Sequence, residues 1–443
     1  MPLLPATSVA DDLDRPRFAS GKVWLALALV FAAGILLRLI WLEDIEYKGD
    51  EAWTWLHASA AGRTEPFSWV GMPTSAGPEN PGMSLWVFVP LAWLSDGPVD
   101  LARGIACLGM ASLGVWVWFA CRLPAAEREM WLWAAALSAV NPLTVVHHRK
   151  IWPNCMFPLL VSLFLMCWQR RERRLPAFFW GVLGACLAQI NLSAGFFSLS
   201  FVVWACLANR RSVAWASWFA GSGLASLPLI PWYHYVSTVS RQPRVSTPKW
   251  ARLFEFKFPI RWLTEPLGFG LDHGLGDDWV DFLRQPVVEG TATWFVALLH
   301  FVALAAGVVI GWNWLKKWRA TSRGWRSSLF PTDSYTALVC SAAFWGYGVL
   351  LTLTCLPMHR HYMIVAYPIA LLWVAYAALQ IHRGDLPALA LSRKLLTGLV
   401  VVELLLSASF LSYVHLKRDI HGDYGVALSA QRLAAPADGS MNR

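Results

Sequence analysis

The chain has 443 residues, 56% of them hydrophobic and only 15% charged, with a formal net charge of +9. This composition excludes an ordinary soluble domain, whereas polytopic membrane proteins reach it routinely. The positive charge does not point to nucleic acid, because the basic residues lie in short clusters between apolar runs and read as topology signals.

The first 22 residues are polar, and the apolar run that follows is too long for a cleaved signal peptide. A membrane helix needs about 20 mainly apolar residues. On that criterion the sequence predicts an all-α bundle of eleven spans: 23–43, 99–121, 130–147, 155–169, 176–190, 193–208, 214–232, 291–312, 334–355, 361–381 and 394–415. A further apolar stretch, 83–94, is too short to count as a span on length alone.

Charge decides its status. With 83–94 lying along the surface and 1–22 in the cytoplasm, the inward segments 1–22, 122–129, 170–175, 209–213, 313–333 and 382–394 hold 19 Lys and Arg. The short outward loops 148–154, 191–192 and 356–360 hold three. If 83–94 spanned, this bias would reverse, against the positive-inside rule. The expected organisation is therefore a cytoplasmic tail (1–22), a membrane domain (23–415) and an outward C-terminal tail (416–443). Two long outward loops, 44–98 and 233–290, interrupt the membrane domain. Long loops in compact proteins tend to carry function, and "ARLFEFKFPIRWL" in the second interleaves aromatic and charged residues as an interfacial segment does.

The eight cysteines, 107, 121, 155, 167, 186, 206, 340 and 355, lie in or beside apolar segments without a Cys-x-x-Cys pair and read as small hydrophobes. Within spans, Arg38 is expected to snorkel outward, while His300 and Glu403 have no partner visible in the sequence.

Three outward clusters can carry chemistry. "EYKGDEAW" holds Asp50 and Glu51, whose side chains on a helix point about 100° apart. The structural reading makes Asp50 an N-cap and sets Glu51 at the positive end of the helix dipole; the functional reading makes them catalytic carboxylates. "HHRKIWP" places His147, His148, Arg149 and Lys150 at the end of the third span, either snorkelling to lipid phosphates or forming an anion site in which Arg149 grips a phosphate with two prongs. "MHRHYMIVAYP" adds Arg360 between His359 and His361. An acid and several cations at one membrane level suit chemistry on a lipid-linked phosphate. The histidine spacing matches no zinc signature, so no metal or other cofactor is expected, a divalent metal being the weaker alternative. Glycine-rich phosphate loops and nucleotide-binding domains are absent, which favours a lipid over a nucleotide as donor.

In order along the chain, "GDEAW", "ENPGMSLWVFVPLAWL", "LARGIACLGMASLGVWVWFACRL", "LSAVNPLTVVHHRKIW" and "HRHYMIVAYP" resemble the polytopic glycosyltransferases of the C-type (GT-C) fold. The pattern is similar to the bacterial relatives of protein O-mannosyltransferases and of the aminoarabinose transferase of lipid A, glycosyltransferase family 39 and its kin, over residues 23–382. The resemblance implies Asp50 as catalytic base with Glu51 beside it, and a donor-binding arginine at Arg149 flanked by His148 and Lys150. Where the family has a basic or polar residue before Pro-Pro-Leu, this chain has Asn80-Pro81-Gly82-Met83; an extra His361 interrupts the Arg-Tyr pattern at Arg360. The second acidic residue that holds a metal in some relatives is missing after the third span.

The expected reaction transfers a sugar from a polyprenyl phosphate-linked donor to an extracytoplasmic acceptor (envelope glycan, lipid or protein), with inversion. Asp50 takes the acceptor proton, and Arg149, Lys150 and Arg360 neutralise the leaving phosphate. The alternatives are a transporter or flippase for a lipid-linked sugar, or a non-catalytic membrane component of polysaccharide assembly. The expected setting is the bacterial inner membrane, with the site facing the periplasm or exterior and membrane lipid around it.

Overall fold

A long apolar run in lipid satisfies its backbone polar groups only within a helix or a closed barrel. The computed structural model, which describes residues 21–73, 79–239, 249–320, 329–331, 334–380 and 386–434, is helical throughout its apolar runs. Among the described residues six helices are long and apolar enough to cross a membrane, and shorter apolar helices lie among them. The chain is an integral membrane protein with an all-α fold.

Each expected span finds a helix, but the ends move for local reasons. The third is Ala125–Val140, ended by Asn141, whose side chain caps a second helix, Pro142–His147. The seventh divides into Trp215–Ser226 and Leu229–Thr238 around Pro228. The ninth runs from Tyr335 to Leu353 with a π turn at Ala342–Tyr347, and the tenth opens with a 3-10 segment, Arg360–Ala366. The eighth, expected from 291, begins at Phe295 after a small hairpin and continues to Ala320. The last, Leu386–Lys417, starts eight residues earlier than expected; its 32 residues extend about 48 Å against a hydrocarbon layer of about 30 Å.

Residues 83–94 form no helix long enough to cross a membrane. They make two four-residue helices, Met83–Trp86 and Val89–Ala92. Leu85, Phe88, Val89 and Ala92 are buried in a small core with Ala58, Leu101, Ala102, Ile105 and Ile151. The 44–98 loop is thus folded against one end of the bundle, here the loop face. The C-terminal segment joins it there: strands Asp419–Ile420 and Gly425–Val426 form a hairpin, and Ala427 bridges Glu46. At the opposite end the segments expected to face inward touch one another. Ala214 N–H donates to the Arg171 carbonyl (3.0 Å), and Arg393 pairs with Glu129 (2.7 Å). Glu127 accepts from Tyr335 N–H (2.8 Å) and Thr336, a carboxylate at the helix N-terminus where the dipole favours it. Residues 1–20, much of the 313–333 and 382–394 segments, and 435–443 lie outside the described residues.

Helices Arg174–Ile190 and Trp215–Ser226 touch backbone to backbone. A Cβ on Gly221 would stand 2.1 Å from the Phe178 carbonyl oxygen, and one on Gly181 2.3 Å from that of Trp218. Gly223, two residues along, has nothing within 4 Å. Gly221→Ala is therefore expected to lower stability by about 1–3 kcal/mol through overpacking, whereas Gly223→Ala is neutral or stabilising by up to about 1 kcal/mol. Thermal unfolding of the two variants in detergent checks this; equal melting temperatures would remove the proposed close crossing.

Candidate active site at the loop face

Helix Gly49–Ala60 carries the acidic pair. Its N-cap is Lys48, not Asp50 as the capping reading supposed: Asp50 lies inside the first turn. The Glu51 carboxylate reaches back to Lys48 N–H (3.0 Å), half of a capping box. The two acids consequently separate. Glu51 is buried, at 1% exposure, and faces the Lys150 ammonium at 3.4 Å. Asp50 is exposed, and among the described residues its carboxylate has no hydrogen-bond or ion-pair partner.

Lys150 meets a second carboxylate, that of Glu46, at 2.8 Å; the same Glu46 oxygen also receives Lys48 at 2.7 Å. Burial alone would lower the Lys150 pKa, but Glu46 and Glu51 outweigh it and raise it. Burial raises the Glu46 carboxyl, opposed by Lys150. Lys48 in turn binds Asp423 of the C-terminal hairpin (3.3 Å). Burial works against ionisation of Asp423, yet Lys48 and Lys150 hold its carboxyl below the usual range. Asp44, buried, accepts from the Ser429 hydroxyl and pairs with His415 (2.7 Å), while its carbonyl accepts from the Tyr424 hydroxyl (2.5 Å).

Arg149 is buried, and both prongs of its guanidinium are engaged by the first span, donating to the carbonyls of Leu37 (3.0 Å) and Trp41 (2.6 Å). Carbonyls at a helix C-terminus lack helical partners and attract cations. The two-pronged grip expected on a phosphate is made here with peptide oxygens. Arg38 does not snorkel: it is fully buried and donates to Gly34, Ser138 and Ala139 carbonyls and to His148 Nδ1 (2.9 Å). Accepting at Nδ1 leaves neutral His148 its proton on Nε2. His148 also abuts Gly109, where a Cβ would approach its ring to 2.5 Å. Arg149, Arg38 and His148 thus fasten the first and third spans together.

Arg360 pairs with Glu265 (2.5 Å) and Asp272 (3.0 Å) of the second long loop. Burial raises the Glu265 carboxyl, opposed by Arg360. The two clusters adjoin through Trp152. Lys150 lies over its ring at 4.6 Å, His361 meets the ring edge-on at 4.7 Å, and Asn154 donates to the His361 carbonyl (3.0 Å). His359 stacks on His361 at 5.3 Å. Asn80 stands apart: its side chain and backbone both donate to the Met72 carbonyl, closing the base of a loop. Among the described residues no three His, Cys, Asp or Glu side chains group as a metal site requires.

Sequence reasoning missed Glu46, Asp423, Glu265 and Asp272. Glu46 had a signal, being a third acid within the same short stretch. Glu265 is an isolated acid in an aromatic segment, and Asp423 has no local signature at all. Glu403 gains a partner too: its carboxylate accepts from Asn141 Nδ2 (3.3 Å), the residue that caps the helix leading to His147.

No family model matches the chain, and no curated protein sequence matches it. Among solved structures it is similar to ArnT from Cupriavidus metallidurans in the apo state, at 15% identity and a TM-score of 0.43, covering 88% of this chain and 77% of that one. It is also similar to ArnT from Cupriavidus metallidurans bound to undecaprenyl phosphate, at 16% identity and a TM-score of 0.40, covering 89% and 79%.

Proposed function

We propose that the protein is a membrane glycosyltransferase. It would move a sugar from a polyprenyl phosphate-linked donor to an acceptor outside the cytoplasm, with its loop face turned outward. The observation that carries this reading is the division of labour in the acidic pair: Glu51 is paired with Lys150, and Asp50 is exposed and, among the described residues, unengaged. A direct displacement on a sugar phosphate needs a free carboxylate to take the proton and a fixed cation for the leaving phosphate. Asp50 accepts the proton of the attacking hydroxyl, and general-base help of this kind contributes roughly 10²–10⁴-fold. Lys150, with Arg360 across Trp152, meets the negative charge that grows on the leaving phosphate. Arg149 serves by holding the first span, and Glu51 by setting the ammonium of Lys150. The displacement inverts the anomeric carbon, since no second free carboxylate is assigned as nucleophile.

A flippase would gather its ionic groups near the bilayer midplane, whereas the ion pairs of Lys48, Lys150 and Arg360 lie at the loop face. The purified protein in lipid vesicles, given radiolabelled polyprenyl phosphate sugars and a panel of glycan, lipid and protein acceptors, is expected to release free polyprenyl phosphate and labelled acceptor. Movement of intact donor across the vesicle wall without release would establish the flippase instead. Neither activity, across a panel of donors, would leave a non-catalytic assembly component.

A further inference from the structure

Residues 249–264 form a surface element that the reaction does not use. A 3-10 turn, Trp250–Phe254, is followed by Phe256 in the left-handed region (φ 47°) and by helix Lys257–Thr264. Phe258 and Trp262 of that helix are buried against Phe344 and Tyr347 of the ninth span. On the other side, Trp250, Phe254 and Phe256 are 78%, 74% and 61% exposed, and Ile260 and Leu263 are exposed beside them. Such large aromatic surface is costly in water. It stands at the loop-face end of a membrane-spanning helix, where lipid is the available cover.

The polar edge of the same element is basic. It carries Lys249, Arg252, Lys257 and Arg261 against one carboxylate, Glu255, which Lys257 pairs at 2.6 Å. Arg252 donates to the Cys355 carbonyl (3.2 Å) and Arg261 to that of Met358 (3.1 Å), so the two guanidiniums hang from carbonyls three residues apart, next to His359. Burial, and then Arg261, Lys257 and Arg252, push the His359 pKa down. Each arginine has donors to spare beyond its one carbonyl.

We propose that residues 249–264 lie in the headgroup layer at the loop face and hold the phosphate of an anionic lipid between Arg252, Arg261 and His359. The exposed aromatic residues enter the acyl boundary, and the cations meet the phosphate in their planar, multi-donor geometry. This does not depend on the glycosyltransferase reading. The element also fixes the carbonyls of the 355–358 turn that precedes Arg360, so its lipid is placed to order the cationic side of the site.

The test is lipid retention by the purified full-length protein, measured by native mass spectrometry with phosphatidylglycerol or phosphatidylcholine added in detergent. Wild type is expected to retain phosphatidylglycerol about tenfold more strongly, on the scale of a roughly fivefold gain per cation near an anionic surface. Arg252→Gln with Arg261→Gln should abolish most of this preference. If that variant fails to fold, Lys249→Gln with Lys257→Gln, which costs only the half-exposed Lys257–Glu255 pair, should still reduce it severalfold. Trp250→Ser with Phe254→Ser should weaken retention of both lipids alike. Equal retention of the two lipids by wild type overturns the proposal, as does a preference that survives removal of the cations. Displacement of phosphatidylglycerol by millimolar inorganic phosphate would also overturn it, by making the site one for soluble phosphate.

Discussion

Asp50→Asn is expected to reduce sugar transfer by roughly 10²–10⁴-fold while leaving the melting temperature nearly unchanged. The substitution keeps the shape and removes the base. Its structural cost is small, because the Asp50 carboxylate is exposed and, among the described residues, unpartnered. What is lost is the favourable charge in the first helical turn, about 0.3–1 kcal/mol. The capping explanation for this residue is already excluded by the position of Lys48 as N-cap. Initial rates with a labelled polyprenyl phosphate sugar, together with a thermal melt of the same preparation, decide the matter. Wild-type turnover by Asp50→Asn would sink the assignment of the base. Glu51→Gln should show the opposite balance. It disturbs Lys48 N–H and Lys150 in a buried setting, so stability falls along with activity.

Lys150→Met should be the most destabilising single change at the loop face. It leaves Glu51, at 1% exposure, without its ammonium partner, and Glu46, at 7%, with Lys48 alone. Removing one partner of a buried ion pair costs about 3–5 kcal/mol, most of it from the charge left behind. Adding Glu46→Gln to Lys150→Met removes one of the two buried carboxylates that lost Lys150 and is expected to recover part of the melting temperature but none of the activity. Lys150→Met melting like wild type would mean that the cluster is solvated and does not organise the site. A double variant that regained transfer would show instead that Lys150 is not the phosphate cation.

The course of the bundle was readable from the sequence because each apolar run answers to one local constraint, its own backbone hydrogen bonding in lipid. The interruptions were less readable. Pro228 divides a span visibly, but the π turn at Ala342–Tyr347 and the early start of the last helix at Leu386 depend on neighbours that a single sequence does not display. At the candidate site, residues from "GDEAW" and "HHRK" come together, Glu51 meeting Lys150. The arginines' partners were harder to read, for a physical reason: a cation at the end of a span serves equally well for a phosphate or for the carbonyls of a helix C-terminus. Arg149 and Arg38 took the second option with the first and third spans. Glu265 and Asp423 were invisible because an ion pair between distant loops leaves no periodic trace at either end.

The contacts between residues 44–48 and the C-terminal hairpin set a timetable for the protein's biosynthesis. Tyr424 binds the Asp44 carbonyl across 380 residues of chain, and Lys48 meets Asp423 across 375. At ribosomal rates of about 5–20 residues per second, Asp44 waits roughly 20–80 s for its partner to be made. Throughout that interval the helix bearing Asp50 is without its final restraint. A nascent or prematurely terminated chain can therefore be threaded through most of the membrane and still lack an assembled loop face. Whatever the loop face does could begin only once the ribosome has passed the hairpin.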